Sequence, residues 1–195
     1  MTRAGTLVVV EGIDGSGKST LCRGLADAVR ARDAEREVVL TKEPTDGVVG
    51  SRIRALAAEG RRLPPLEELL LFEEDRAEHA RELVVPALAR GATIIQDRGF
   101  HSTAAYQGRR GVDVQEILRR SRALAPEPDV LVAVDLSVEA ALARVGGRGA
   151  SDAFEERDQL EEVAAYFAQM NAHLRLDGRQ PPEALVADVL AHLGL

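Results

Sequence analysis

Two kinds of apolar pattern alternate along this chain: short continuous runs, and longer stretches with apolar residues at helical spacing. The first run, Leu7 to Val10 within TLVVVEG, is too short for a helix and reads as a buried strand ending at Glu11. After a glycine-rich turn, Leu21, Cys22, Leu25 and Val29 recur at helical spacing and predict a helix that starts near Lys18. Glu37 to Thr41 reads as a second strand, and Lys42 to Gly47 as a loop in which Pro44 turns Glu43 away from helix. Val48 to Ala58 predicts a short helix with exposed Arg52 and Arg54, punctuated by Gly60 and Pro64-Pro65. Leu66 to Arg90 is strongly helical, with Leu69, Leu70, Ala77, Ala80, Val84 and Leu88 as its core stripe. Pro86 should kink or split that helix and Gly91 should end it.

Ala92 to Gln96 is a third apolar run, and it delivers Asp97-Arg98 to its carboxyl end. Ser102 to Gly108 reads as a short helix or loop, and Val112 to Leu124 as a helix that stops before Pro126. A fourth strand spans Val130 to Leu136, and a helix spans Val138 to Val145. A Glu-rich helix from Phe154 to Leu174, a short strand from Leu174 to Leu176 and a closing helix from Pro182 to Leu193 complete the chain. Strands that alternate with helices predict an α/β protein: a parallel sheet with helices on both faces. The order of strands within the sheet is not contained in these periodicities. At 195 residues, without repeats or a boundary in composition, one domain over 1–195 is expected.

The turn between the first strand and helix carries the chemistry. Gly12-Ile13-Asp14-Gly15-Ser16-Gly17-Lys18-Ser19 fits G-x-x-x-x-G-K-[ST], in the strand–loop–helix context that a phosphate loop requires. Glycines there let backbone N–H groups turn inward around phosphate oxygens, and the helix start adds its dipole. Lys18 would reach the β- and γ-phosphates, and the Ser19 hydroxyl would hold Mg²⁺. The plainer reading is a Gly-rich turn capping a helix. Composition weighs against it, because of 25 basic residues only Lys18 and Lys42 are lysines.

Charge and composition narrow the partners. A net charge of −7 argues against bulk nucleic-acid binding, so an anionic substrate must be held by local arginines. No apolar run approaches a membrane span, and the N-terminal run enters the phosphate loop directly, unlike a signal peptide. Cys22 is the only cysteine, which excludes an intrachain disulfide, and it lies on the apolar side of its helix. The cytoplasm is the expected compartment.

Residue counts exclude several phosphate-loop classes. The only asparagine, Asn171, is not followed by lysine, so there is no N-K-x-D guanine motif. Ile13 and Asp14 stand where partition-type ATPases carry an extra lysine. The strand before Asp97 ends in Asp-Arg where motor ATPases end in Asp-Glu. A small kinase remains. Arg76, Arg98, Arg144 and Arg148 then serve as charge partners for two phosphate groups, and an acceptor that is already an anionic phosphate needs no general base. Asp97 can reach the Mg²⁺ held by Ser19, and Arg98 can clamp a phosphate. Phe72, Arg76 and His79 share one helix face, which suits a stacked planar ring bonded at its edge; a surface arginine beside a core phenylalanine is the competing reading. Gly146 to Ser151 has the composition of a mobile lid, or of a plain solvent loop.

The chain resembles the thymidylate kinase (dTMP kinase) family. The resemblance rests on EGIDGSGKST (Glu11 to Thr20), KEPTDG (Lys42 to Gly47), LLFEEDRAEH (Leu70 to His79), DRGFHSTAAYQG (Asp97 to Gly108), PDVLVAVDL (Pro128 to Leu136) and the region from Arg144 to Glu155. It implies a three-layer P-loop NTPase-type α/β fold with a five-stranded parallel sheet flanked by helices, a lid at about 145–153, a homodimer, and Mg²⁺-dependent transfer from ATP to dTMP. It implies that Gly12 to Thr20 and Arg144 bind ATP, that Phe72 stacks on thymine and Arg76 bonds its edge, and that Ser102 and Thr103 lie near the base. Tyr106 would pack on the sugar and disfavour a 2′-hydroxyl, Asp14 would approach the 3′-hydroxyl, and Glu43 and Gln107 would join the substrate site. Lys18, Asp97, Arg98 and Arg148 are the catalytic candidates, with Ser19 and Asp97 toward the metal. Gly15 stands where one branch of the family has an arginine, so the lid should supply that charge here, with Arg148 as the candidate. Three departures stand out: Gly99 in place of an aromatic, Ala153 in place of a lid arginine, and Glu-Pro-Thr-Asp-Gly in place of Glu-Pro-Gly-Gly-Thr. They leave open a kinase for another nucleoside or nucleoside monophosphate, or a nucleotide-binding regulator without turnover.

Overall fold

The computed structural model describes residues 5–145 and 150–195. Its five strands are β1 (Thr6–Glu11), β2 (Val38–Lys42), β3 (Thr93–Asp97), β4 (Val130–Asp135) and β5 (Leu174–Asp177). All pair in parallel, in the order β2-β3-β1-β4-β5. The helices are α1 (Lys18–Arg32), α2 (Val48–Ala58), α3 (Pro65–His79), α4 (Val85–Ala89), α5 (Phe100–Gly108), α6 (Val114–Leu124), α7 (Val138–Val145), α8 (Ala150–Gln169) and α9 (Pro182–Leu193). Among the described residues, no helix is long and apolar enough to cross a membrane.

The strand order has a physical reading. On β1, Leu7 and Val9 join one core while Val8 and Val10 join the other, and all four are buried. A strand apolar on both faces belongs at the centre of a covered parallel sheet. On β2, by contrast, Leu40 is 40% exposed, as an edge strand permits. Helices α1 and α9 cover the Val8/Val10 face through Leu21, Leu25, Leu185 and Val189. The opposite face is covered by Ala87 and Leu88 of α4 with Val163 and Phe167 of α8. A third cluster, Leu69, Phe100, Ile117 and Leu118, ties α3, α5 and α6 together.

Pro86 splits the long helical stretch as expected. The break takes the form of a π-helical turn, Ala80–Val84, in which the Val85 N–H donates to the Ala80 carbonyl. The expected core stripe is corrected at Leu70, which is 54% exposed while Leu71 is buried. The inner face of α3 also carries Glu73, Asp75, Arg76 and His79, all buried. Apolar periodicity misses that face because its charges are neutralised by distant partners. Helix α6 starts at Val114, since Asp113 caps it by accepting from the N–H groups of Gln115 and Glu116. Helix α8 starts earlier than expected and ends at Gln169, because His173 already donates its N–H to the Leu131 carbonyl beside β5.

Candidate active site

Every strand ends on a charged residue at the carboxyl edge: Glu11, Lys42, Asp97, Asp135 and Asp177. In open parallel sheets this edge is where ligands bind. β1 runs straight into the phosphate loop, and Gly17 caps α1 with φ 100, a left-handed conformation that lets the loop's amides face one another's centre. Gly15 has φ 78, so an arginine at that position would carry backbone strain in this loop. The Lys18 ammonium is buried and donates to the Ile13 carbonyl at 2.7 Å. Burial, with the charge of Arg98 behind it, brings Lys18 down to about 8.

Opposite the loop, the C-terminal end of β3 delivers Asp97 and Arg98. The Ser19 hydroxyl donates to Asp97 Oδ2 at 2.5 Å. The other carboxylate oxygen, Oδ1, is buried without a partner. A hydroxyl and a carboxylate with a free buried oxygen form an all-oxygen donor set, which fits Mg²⁺ together with nucleotide phosphates. Arg98 reaches across to Asp14 Oδ1 at 2.5 Å and donates to the Ser102 hydroxyl at 2.9 Å. Burial opposes the Arg98 charge, but Asp14 and the neighbouring carboxylates more than offset it and hold the guanidinium protonated. Burial alone would raise the Asp14 carboxyl; Arg98 and Lys18 reverse this and hold it below its ordinary value. The Tyr106 hydroxyl donates to Asp14 Oδ2 at 2.9 Å.

Two cavities meet at this point. One, of about 590 Å³, follows the phosphate loop and is walled by Lys18, Ser19, Asp97 and Arg144. Arg144 donates to the Gly15, Ser16 and Gly178 carbonyls and so ties the loop to the turn after β5. The other, of about 250 Å³, is walled by Phe72, Arg76, Ser102, Thr103, Tyr106 and Gln107. Asp14, Glu43, Pro44, Arg54 and Arg98 line both. Gln107 Oε1 is buried without a partner, an acceptor fit for a ring N–H.

Arg76 is 1% exposed. Its Nε and Nη2 donate to Glu43 Oε2 at 3.0 and 2.8 Å, and it also bonds Thr103 and Ser121. Burial would raise the Glu43 carboxyl, but Arg76 and His79 pull it below its ordinary value. His79 in turn bridges Glu43 and the Thr41 hydroxyl. A buried ion pair is worth keeping only when most of its remaining donors are bonded, and here Arg76 bonds through four of its five N–H groups, the fifth being on Nη1. The carboxylates of Glu11 and Glu43 therefore both face protein groups: Glu11 accepts from Gly99 and Ser102, Glu43 from Arg76.

The structure brings Gly12 to Thr20, Glu43, Phe72, Arg76, Asp97, Arg98, Ser102, Thr103, Tyr106, Gln107 and Arg144 to one edge of the sheet. Arg148 and the core of the expected lid lie outside the described residues. Arg54 corrects the sequence reading: it turns inward, donating to the Pro44 carbonyl at 2.9 Å and to the Thr45 carbonyl, and lines both cavities. Its signal was ambiguous, since an arginine on a short helix reads as solvated. A Cβ at Gly99 would head for Val9, 3.1 Å away, and Gln96, so the missing aromatic faces buried side chains of the sheet.

Residues 10–189 match the model of the thymidylate kinase family. The chain belongs to that family. It is 43% identical over 195 residues to a thymidylate kinase of Akkermansia muciniphila, covering 99% of this chain and 93% of the relative. It is 48% identical over 168 residues to one of Xanthomonas euvesicatoria, covering 86% of this chain and 73% of the relative. A thymidylate kinase of Xanthomonas oryzae is 47% identical over 165 residues, covering 84% of this chain and 71% of the relative.

Proposed function

We propose that the chain transfers the γ-phosphoryl group of ATP to dTMP, forming dTDP. The observation that carries this reading is the junction of the two cavities at Asp14, Arg54 and Arg98. One cavity has a phosphate loop. The other has an aromatic ring, a buried guanidinium and an orphan amide acceptor suited to a pyrimidine such as thymine, which offers O4 and N3–H at its edge. Phe72 stacks on the base, Arg76 bonds its edge, and Glu43 holds Arg76 in place. Tyr106 and Asp14 contact the sugar.

The reaction needs no general base. An oxygen of the dTMP phosphate is already anionic; it bonds to the γ-phosphorus as the bond to the ADP leaving oxygen breaks. What the protein must supply is alignment and positive charge. Arg98 and Arg54 hold the acceptor phosphate, and Lys18 with the loop amides holds the donor. Ser19 and Asp97 would hold Mg²⁺, which would supply charge to neutralise the donor phosphates. Gly15 offers no charge, so Arg148 completes the site from a lid at about 145–153. Arg144 braces the loop beneath the nucleotide.

The enzyme works as a homodimer in the cytoplasm, where the thiol of its one cysteine, the buried Cys22, stays reduced. A coupled assay across the nucleoside monophosphates tests the substrate. Turnover of dTMP well above the others is the expected result. Turnover of a different monophosphate without dTMP would overturn the substrate and keep the kinase. ATP binding without any transfer would favour a regulatory protein.

A further inference from the structure

Arg98 sits in an unusual backbone conformation, with φ 69, which L side chains rarely adopt. Its own N–H donates to the Val10 carbonyl at 2.9 Å. The peptide that follows it is gripped at both ends by buried side chains. Gln96 Nε2 donates to the Arg98 carbonyl at 2.9 Å, and the Gly99 N–H donates to Glu11 Oε1 at 2.9 Å. Gln96 is 5% exposed and Glu11 is fully buried.

Glu11 also acts on the Arg98 side chain. Its Oε1 accepts the Ser102 N–H at 3.0 Å, and its Oε2 accepts the Ser102 hydroxyl at 2.5 Å. With its proton committed to Glu11, the Ser102 oxygen is left to accept from Arg98 Nη1 at 2.9 Å. Glu11 thus caps α5 from β1, where Gly99 has no side chain to do so, and orients the hydroxyl on which the guanidinium rests.

We propose that Glu11 and Gln96 are positioning residues for Arg98. Together they hold its backbone left-handed and its guanidinium at the junction of the two cavities, so that the acceptor phosphate meets a clamp already in place. Resting on the acceptor reading above, this deepens it: phosphate affinity, as distinct from base affinity, depends on two buried residues that touch no ligand. A residue that only stabilised α5 would disturb the base as much as the phosphate, because α5 carries Ser102, Thr103 and Tyr106.

The experiment compares binding of dTMP and of thymidine, which lacks the phosphate, by calorimetry on the full chain. Glu11→Gln keeps an acceptor for both N–H groups but replaces the oxygen that orients Ser102 with a donor. Gln96→Met keeps the volume and removes the grip on the Arg98 carbonyl. Each variant is expected to lose about tenfold or more in dTMP affinity and less than about twofold in thymidine affinity. Unchanged dTMP affinity in both variants, or equal losses for both ligands, overturns the positioning role. Wild-type protein that binds neither ligand overturns the acceptor reading and this inference with it. Glu11→Gln is the variant at greater risk of misfolding; Gln96→Met alone then decides between the same outcomes.

Discussion

The Ser19 hydroxyl lies 2.5 Å from Asp97 Oδ2, at the facing ends of the phosphate loop and β3. Register sets this distance: Val10 at the end of β1 pairs with Asp97, so the strand end and the loop must confront each other. The second Asp97 oxygen is buried and free. Asp97→Asn is therefore expected to raise the Mg²⁺ concentration needed for half-maximal activity by about tenfold or more, with a smaller effect on dTMP binding. A titration of activity against free Mg²⁺, alongside dTMP calorimetry, checks it. An unchanged Mg²⁺ requirement would remove Asp97 from the metal site.

Lys18 is buried against the loop and donates to the Ile13 carbonyl. It makes no contact on which the core depends, so Lys18→Ala is expected to lower turnover by about a thousandfold or more and to leave the far-ultraviolet circular dichroism spectrum unchanged. Activity within a few-fold of wild type would refute the phosphate-loop reading.

If the lid arginine acts as charge develops in the transition state, Arg148→Ala lowers kcat far more than it raises the KM for dTMP. Steady-state kinetics separate the two. Equal changes in both constants would make Arg148 a binding residue and turn attention to Arg144, which braces the loop through the Gly15 and Ser16 carbonyls.

His101 bonds the Tyr166 hydroxyl at 2.9 Å, and burial, reinforced by Arg122 and Arg76, brings it down to about 4. The unfolded chain takes up this proton near pH 6.5, while the folded chain does so only near pH 4. Stability that is present above pH 6.5 is thus lost progressively as pH falls toward 4. Between pH 7 and pH 5 the wild type is expected to lose about 1 kcal/mol more than His101→Asn, allowing for partial solvent exposure. Urea unfolding at the two pH values checks it. Parallel losses in the two proteins would show that His101 is not the group responsible.

Local signals located most of this site. The stretch from Thr6 to Ala28 announces itself because strand, turn and helix are each short-range patterns, and the glycine and lysine spacings sit within one loop. Asp97-Arg98 was legible because the two residues directly follow an apolar run. Phe72 and Arg76 were legible as neighbours on one helix face. The burial of the α3 charges was not, because their partners lie far along the chain: Asp75 bonds Thr45, Arg76 bonds Glu43, and Glu73 bonds Arg120. For the same reason Leu70 passed for a core residue and Arg54 for a solvated one.

Periodicity and motif spacing established that this chain folds as an α/β protein around a phosphate loop, since both depend on residues a few positions apart. They carried no information on which strand lies beside which. Packing settled that: β3, β1 and β4 are buried on both faces and take the middle of the sheet, while the less buried β2 and β5 take its edges. That placement brings Ser19 to Asp97, Asp14 to Arg98 and Glu11 to Ser102, pairs more than 70 residues apart whose contact exists only once the sheet has closed.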